Sequence, residues 1–548
     1  MAGAVWNCAS NAENRTYLRQ IGCIPALLEL LSSPYEFVQE NAAGALWNLS
    51  VDPENKTQIL DYGGIVELAQ LIAKSHSLSV VENVSGTLWN CSAAVESRPA
   101  IRKAGAIPVL LSVMNRKPVP STQQRDGAVA KNASAFLPIS DKILDNVAGT
   151  LRNCAINDQN KPAIREAGGV ELLLGKLELG ILKQPGSIPM LALDKMASTL
   201  WILTISPEIK HSVRLSGGIP LLAKILEATS VTAAKKKNAK VLVQLTMSVK
   251  EKLVGLLRNC STVQENRPVM VSAGVVRALV HVVEDCRLAM SAKASVSPLA
   301  SQQQLPSLQL KETVASALWY LSRDDKVAPR EEGGLELLCR LLREPDQPSA
   351  VLEQAAGAIS SLTVNNQENR TKLREFGGMD ALLRLIEEKT PLAFSQRPKN
   401  GVDGKTVSET AGTVAVPSSG TNKTENTVSN TYAVLNALLA VRNSTSSNEE
   451  NLRYVAEWRY SLEGEGTSLP TTSFTGCLLY IIQHGSEDCA REAALCIKNL
   501  CGHAKALESL LQQDAVELIG GLAERGSSDS VRRAATMTLH SLARAQRR

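Results

Sequence analysis

Seven asparagines keep register along the chain: Asn7, Asn48, Asn90, Asn153, Asn259, Asn443 and Asn499. A side-chain amide carries both a donor and an acceptor, so a row of amides can hold an extended peptide backbone in both directions. Asparagine is a mediocre residue inside a helix because it competes for backbone hydrogen bonds. The same amides could instead bond within their own or an adjacent structural unit, and for any single one both uses stand open. The residue before each asparagine forms a second row. It reads Trp6, Trp47, Trp89, Arg152, Trp201, Arg258, Trp319, Ser360, Arg442, Lys498 and His540, with Ile202, Tyr320, Ser361 and Ser541 standing where asparagine is absent. Indoles first and cations later suit an acidic, partly apolar partner segment. The alternative is that the indoles wedge between units as core. Trp47, Trp89, Arg152, Arg258, Arg442 and Lys498 therefore join the asparagines as candidate partner-binding residues.

Other chemistry is thinly represented. The six histidines, at 76, 211, 281, 484, 503 and 540, lack metal-ligand spacing, so no metal is expected. "GVDGKT" at 401–406 ends like a phosphate loop, but position 399 is Lys where a glycine is required. No nucleophile motif is present and no cofactor is implied, so enzymatic activity is not expected. The eleven cysteines are odd in number and lack C-x-x-C spacing. Cys8, Cys91, Cys154 and Cys260 each follow the row asparagine, where Leu49 also fits, and so mark a small buried apolar slot. Reduced thiols and a cytoplasmic location, extending to the nucleus or cell junctions, are expected.

What must position these rows is a repeat. "GALWNLSVDPENKTQILDYGGIVELAQLI" from Gly44 returns as "GTLWNCSAAVESRPAIRKAGAIPVLLSVM" from Gly86, and the row recurs every ~42 residues where no insertion intervenes. Each copy reads as three helices. A short one begins after Asn14, Asn55, Asn160, Asn266 or Asn369, read as N-caps. It stops at a glycine corner such as Gly22, Gly63 or Gly105. A second, Leu-rich helix such as "IPALLELL" follows, then a third ending in the Trp–Asn row. Hydrophobic residues are 44% of the chain and aromatics 3%, so the core must be aliphatic. One copy cannot bury its apolar faces alone, which predicts an all-α stack winding as a right-handed superhelical solenoid.

"ENRTYLRQIGCIPALLELL" and "GTLWNCS" resemble the armadillo repeat of the β-catenin, plakophilin and yeast vacuolar-armadillo-protein families. The resemblance is close over 1–389 and loose over 431–548. It implies about ten repeats and a non-catalytic scaffold, catenin-like in adhesion or signalling, whose asparagines line a groove and grip an extended, acidic-leaning segment of another protein. A karyopherin-like cargo adaptor or a GTPase regulator is the alternative. Importin-α proteins carry their cargo-binding Trp four residues before the Asn. Here that place holds Gly3, Gly44, Gly86, Gly149 and Gly255, which disfavours lysine-rich cargo. Whether those glycines widen the groove or let helices approach is open at this point.

Within 1–389, polar insertions are expected near 115–140 and 229–240, the latter with Lys235, Lys236 and Lys237, read as a solvated basic loop in preference to a nuclear-import tag. Residues 390–430 read as a disordered linker, and 431–548 as divergent repeats without the glycine corner. The first copy is only a third helix, as a fragment, a shifted start or a fraying cap would give. The basic residues after the short-helix asparagines (Arg15, Lys56, Lys161, Arg267, Arg370), with Arg98 and Lys210 in matching places, read either as solvated residues that frame the helix start or as charged anchors for a partner, and their unfavourable place at a helix N-terminus raises the second reading. A net charge of +5 argues against nucleic acid as a partner. No run approaches a membrane span, and a monomer is expected.

Overall fold

The computed structural model describes residues 2–116, 139–236, 240–294, 308–394, 423–458 and 473–547. Every regular element among them is a helix. The chain divides into two compact units, Met1–Asn266 and Arg267–Arg548.

In the first unit the third helices Ala2–Cys8, Glu36–Leu49, Leu78–Ser92, Asp141–Ala155, Met190–Leu203 and Met247–Ser261 pack side by side, each on the next. Second helices such as Gly64–Lys74 lie against their backs, burying Ile65, Leu68, Leu71 and Ile72. The second unit repeats the arrangement with third helices Leu308–Leu321, Ser349–Thr363, Lys423–Thr445, Glu487–Leu500 and Asp529–Gln546. The glycine corner is real: Gly63 stands at φ 75°, a left-handed turn that redirects the chain straight into the second helix. In the last copy, Asp514 at φ 55° takes that place.

One local reading changes. Asn14, Asn55, Asn160, Asn266 and Asn369 are not N-caps. Where a side chain caps these short helices it comes three residues earlier, from Asn11, Asp52 and Asn366. The later asparagine points backwards, and its Nδ2 donates to the end of its own copy's third helix: Asn55 to Leu49 O at 3.0 Å, Asn160 to Cys154 O at 3.2 Å, Asn369 to Leu362 O at 2.9 Å. It also reaches the preceding copy, as Asn160 does to Arg98 O at 3.0 Å. Its Oδ1 accepts from an arginine of that copy: Arg19 on Asn55, Arg102 on Asn160, Arg330 on Asn369. Asn55, Asn160, Asn266 and Asn369 are fully buried, whereas Asn14 in the first copy is exposed; the buried amides satisfy helix-end carbonyls that would otherwise be orphaned.

The expected insertions are partly helical. Val231–Lys236 is a helix inside the 229–240 segment, and residues 117–138 and 237–239 lie outside the described residues. Gly378–Phe394 and Lys423–Thr445 enter the 390–430 interval from either side. Residues 395–422, with the phosphate-loop lookalike, fall outside the description.

Candidate partner-binding face

The glycines four places before the row asparagine answer to the indoles. A Cβ on Gly44 would lie 2.4 Å from the Trp6 ring, on Gly86 2.3 Å from Trp47, on Gly149 2.4 Å from Trp89, and on Gly255 2.6 Å from Trp201. Each indole lies on the bare backbone of the next third helix, a seat only glycine leaves open. In the second unit Trp319 meets Gly357 in the same way. The indoles therefore wedge between copies while keeping a half-exposed edge.

The row asparagines run alongside. The Nδ2 of Asn48 donates to Trp6 O at 3.2 Å, and that of Asn90 to Trp47 O at 3.4 Å and Ser50 Oγ at 3.0 Å. Asn153 reaches Ser92 Oγ at 2.9 Å, and Asn259 reaches Thr204 Oγ1 at 3.3 Å. In the second unit Asn443 bonds Ser360 O at 3.2 Å and Asn499 bonds Arg442 O at 3.0 Å. So the donor is spent on the preceding copy. The Oδ1 atoms of Asn48, Asn90 and Asn499 accept nothing among the described residues, whereas those of Asn153 and Asn443 accept from Arg152 and Arg442. Asn259 is buried, Asn7 is exposed on the first helix, and the remaining row asparagines are half-buried.

The cations of the second row differ among themselves. Arg442 forms an ion pair with the buried Glu492. Arg152 is exposed and, among the described residues, donates to neutral oxygens, Ser198 Oγ at 3.1 Å and Asn153 Oδ1 at 3.5 Å. Arg258 and Lys498 are half-buried in the last turns of their helices.

Eight places after the row asparagine stand Arg15, Lys56, Arg98, Lys161 and Lys210. Their placement corrects the dipole objection, because two of them point at the negative end of a third helix. Arg98 donates to Ser92 O at 3.1 Å and Ala93 O at 3.2 Å, while Lys210 donates to Thr262 Oγ1 at 2.9 Å and has its ammonium pushed down by burial. Lys161 and, in the second unit, Arg267 are buried in ion pairs with Asp158 and Asp324, and Arg370 is buried on Thr363 O. Among the described residues Lys56, Arg98 and Lys210 have no carboxylate partner.

A further row escaped the sequence reading. Eight places before the asparagine stand Glu40, Glu82, Asp145, Asp194 and Glu251. Lysines of the next copy cancel three of them: Lys142 on Glu82 at 3.2 Å, Lys195 on Asp145 at 2.7 Å, and Lys252 on Asp194. Lys195 also stands 3.8 Å over the Trp89 ring. Three places after the asparagine, Val51, Ile156 and Ile205 are exposed. Both rows share the asparagine's register, and that register is the signal by which they could have been found.

Among the described residues no group of three or more His, Cys, Asp or Glu could hold a metal, and no helix is long and apolar enough to cross a membrane.

Stacked three-helix units joined by amide and indole locks define a helical-repeat protein. The family model for the armadillo/β-catenin-like repeat matches residues 11–51 and 52–93. A catenin beta from Urechis caupo is 36% identical over 81 residues, 14% of this chain and 10% of that protein. The armadillo segment polarity protein of Drosophila melanogaster is 30% identical over 133 residues, 24% of this chain and 13% of that protein. The matched stretches thus span a small part of those relatives' own length. Among solved structures, an engineered protein superposes with a TM-score of 0.62 at 19% identity, covering 95% of this chain and 98% of its own. A structure titled for a phosphorylation switch controlling the interaction between cadherin and β-catenin gives 0.51 at 16% identity, covering 99% and 96%. At those identities the likeness is one of fold. Residues 11–93 thus carry armadillo repeats, and the fold of the chain is that of armadillo-repeat proteins.

Proposed function

We propose that the protein is a non-catalytic scaffold whose third-helix face in the first unit receives an extended segment of another protein. The supporting observation is that three rows share the register of the asparagines: Oδ1 acceptors left open among the described residues at Asn48 and Asn90, exposed aliphatic side chains at Val51, Ile156 and Ile205, and cations at Lys56, Arg98 and Lys210 that meet no carboxylate among the described residues. An extended chain rises ~3.3 Å per residue and packed helices lie ~8–10 Å apart, so such a segment meets a fresh copy about every third residue. Three of the five acids, Glu82, Asp145 and Asp194, are cancelled by lysines, while Lys56, Arg98 and Lys210 of the basic row meet no carboxylate among the described residues, which favours an acidic-leaning segment with apolar residues. A lysine-rich cargo is disfavoured, since the Trp89 face already carries Lys195. The names of the relatives support a catenin-type role in adhesion or signalling, in the cytoplasm or at cell junctions, and we propose that the protein acts as a monomer.

Co-precipitation from cell extract with a protein carrying Asn48→Ala, Asn90→Ala and Asn153→Ala tests this. The triple variant is expected to stay folded, losing about 0.5–1.5 kcal/mol of stability per lost amide bond, and to lose its partners. Full retention of every partner by a folded triple variant would overturn the reading.

A further inference from the structure

Five members of the second row are tryptophans, each seated on a glycine of the next third helix. Arg152 breaks that pattern together with its seat, because the residue it meets on the next helix is Ser198 instead of glycine. A guanidinium has five N–H donors; Ser198 Oγ and Asn153 Oδ1 take one each, and three remain. Nearby carboxylates are engaged elsewhere, Asp145 by Lys195 and Asp194 by Lys252. At the corresponding place in the second unit the chain does supply a carboxylate, since Arg442 is held by Glu492. Of these two, Arg152 is the exposed one and meets no acid among the described residues, with Trp89 on the helix before it and Trp201 on the helix after it.

We propose that Arg152 is the specificity-determining residue of the face, reading a side-chain carboxylate of the bound segment, flanked three residues to either side by apolar residues lying against Trp89 and Trp201. The spacing follows from one copy per about three extended residues. Two parallel N–H donors of a guanidinium match a carboxylate in a way a lysine cannot, and the Ser198 hydroxyl fixes the plane of the fork. This rests on the scaffold reading above and deepens it.

Selection of a random dodecapeptide library on the immobilised full chain, in parallel with Arg152→Gln, provides the test. Peptides with an acidic residue between apolar residues three places away on each side are expected to emerge on the wild type, and to lose the acid on Arg152→Gln. For a selected peptide, replacing Glu by Gln should weaken binding roughly tenfold to hundredfold on the wild type and hardly at all on the variant. The double variant Arg152→Trp with Ser198→Gly restores the indole seat, keeps the stack packed, and should exchange the acidic preference for an apolar one. If peptides are enriched and are sensitive to Asn48→Ala and Asn90→Ala, yet show no acid dependent on Arg152, the inference falls and the scaffold reading stands. If the phosphoserine form binds and the Glu form does not, the carboxylate assignment is overturned. If nothing enriched responds to those asparagines, both are overturned.

Discussion

A glycine in mid-helix costs about 1 kcal/mol relative to alanine, so Gly86→Ala should stabilise an ordinary helix. Here the added Cβ would stand 2.3 Å from Cε2 of Trp47, and the indole would have to leave its seat. Overpacking of this kind costs roughly 1–3 kcal/mol. Gly86→Ala should therefore lower the urea midpoint in the wild-type background and raise it in a Trp47→Ala background. A rise in both backgrounds would show that the seat is not filled. The glycine row was fully visible in the sequence, but its cause was not, because the side chain that demands it belongs to the previous copy some forty residues upstream. The role of the buried asparagines is hidden from the sequence for the same reason. Asn followed by Lys or Arg at a helix start looks like a cap, and only the positions of the preceding third helix and the preceding copy's arginine reveal a donor pointing backwards.

At the scale of the element, most of the architecture was legible. Three helices per copy, the corner at Gly63 and the aliphatic second helix all follow from period, glycine and leucine, which are local signals. Reading failed where a segment's fate depends on its neighbours. Lys423–Thr445 starts well ahead of Asn443 through a Thr/Ser/Asn-rich stretch that has no periodicity of its own. That extension lies on Ser349–Thr363: Ser429 Oγ donates to a Glu353 carboxylate oxygen at 3.2 Å, and Ser349 Oγ donates to Asn430 Oδ1 at 2.5 Å. Burial between the helices pushes the Glu353 carboxyl up to about 7, and Glu312 on the neighbouring Leu308–Leu321 helix adds to the rise, while the Ser429 bond opposes it. A folded value raised above the ordinary 4.5 means that the fold favours the neutral acid. The associated stability is present below about 4.5 and is lost as pH rises through about 7. Thermal melts should show Glu353→Gln gaining on the wild type between pH 5 and pH 8, by about 2–3 kcal/mol at the upper end. An unchanged difference across that range would place the carboxyl in water.

For the whole molecule, the relevant fact is that copies touch mainly their neighbours, so stability is close to a sum of local terms. The cysteines can report on this. Cys8 is exposed and Cys23 half-buried, while Cys91, Cys154 and Cys260 in the first unit and Cys286, Cys339, Cys477, Cys489, Cys496 and Cys501 in the second are buried. Burial pushes the thiols of Cys91, Cys154, Cys260, Cys339 and Cys477 up to about 12 and that of Cys501 up to about 11, from 9.0. These thiols therefore stay neutral, and their share of stability is intact below pH 9 and lost only as pH climbs toward 12. At pH 8 a thiol reagent should modify Cys8 quickly and Cys23 more slowly. The nine buried thiols should wait for denaturant, because the reactive species is the thiolate and it must be exposed to react. Since each unit has its own core, the thiols of one unit should open as a set, and the two sets should open at different urea concentrations. Mass mapping of labelled peptides along a urea series separates the sets. Labelling of all nine in a single transition would mean one cooperative body. Rapid labelling of Cys91 or Cys154 in native buffer would mean that the slot after the row asparagine is open to water, and the packing of the third helices described above would then be wrong.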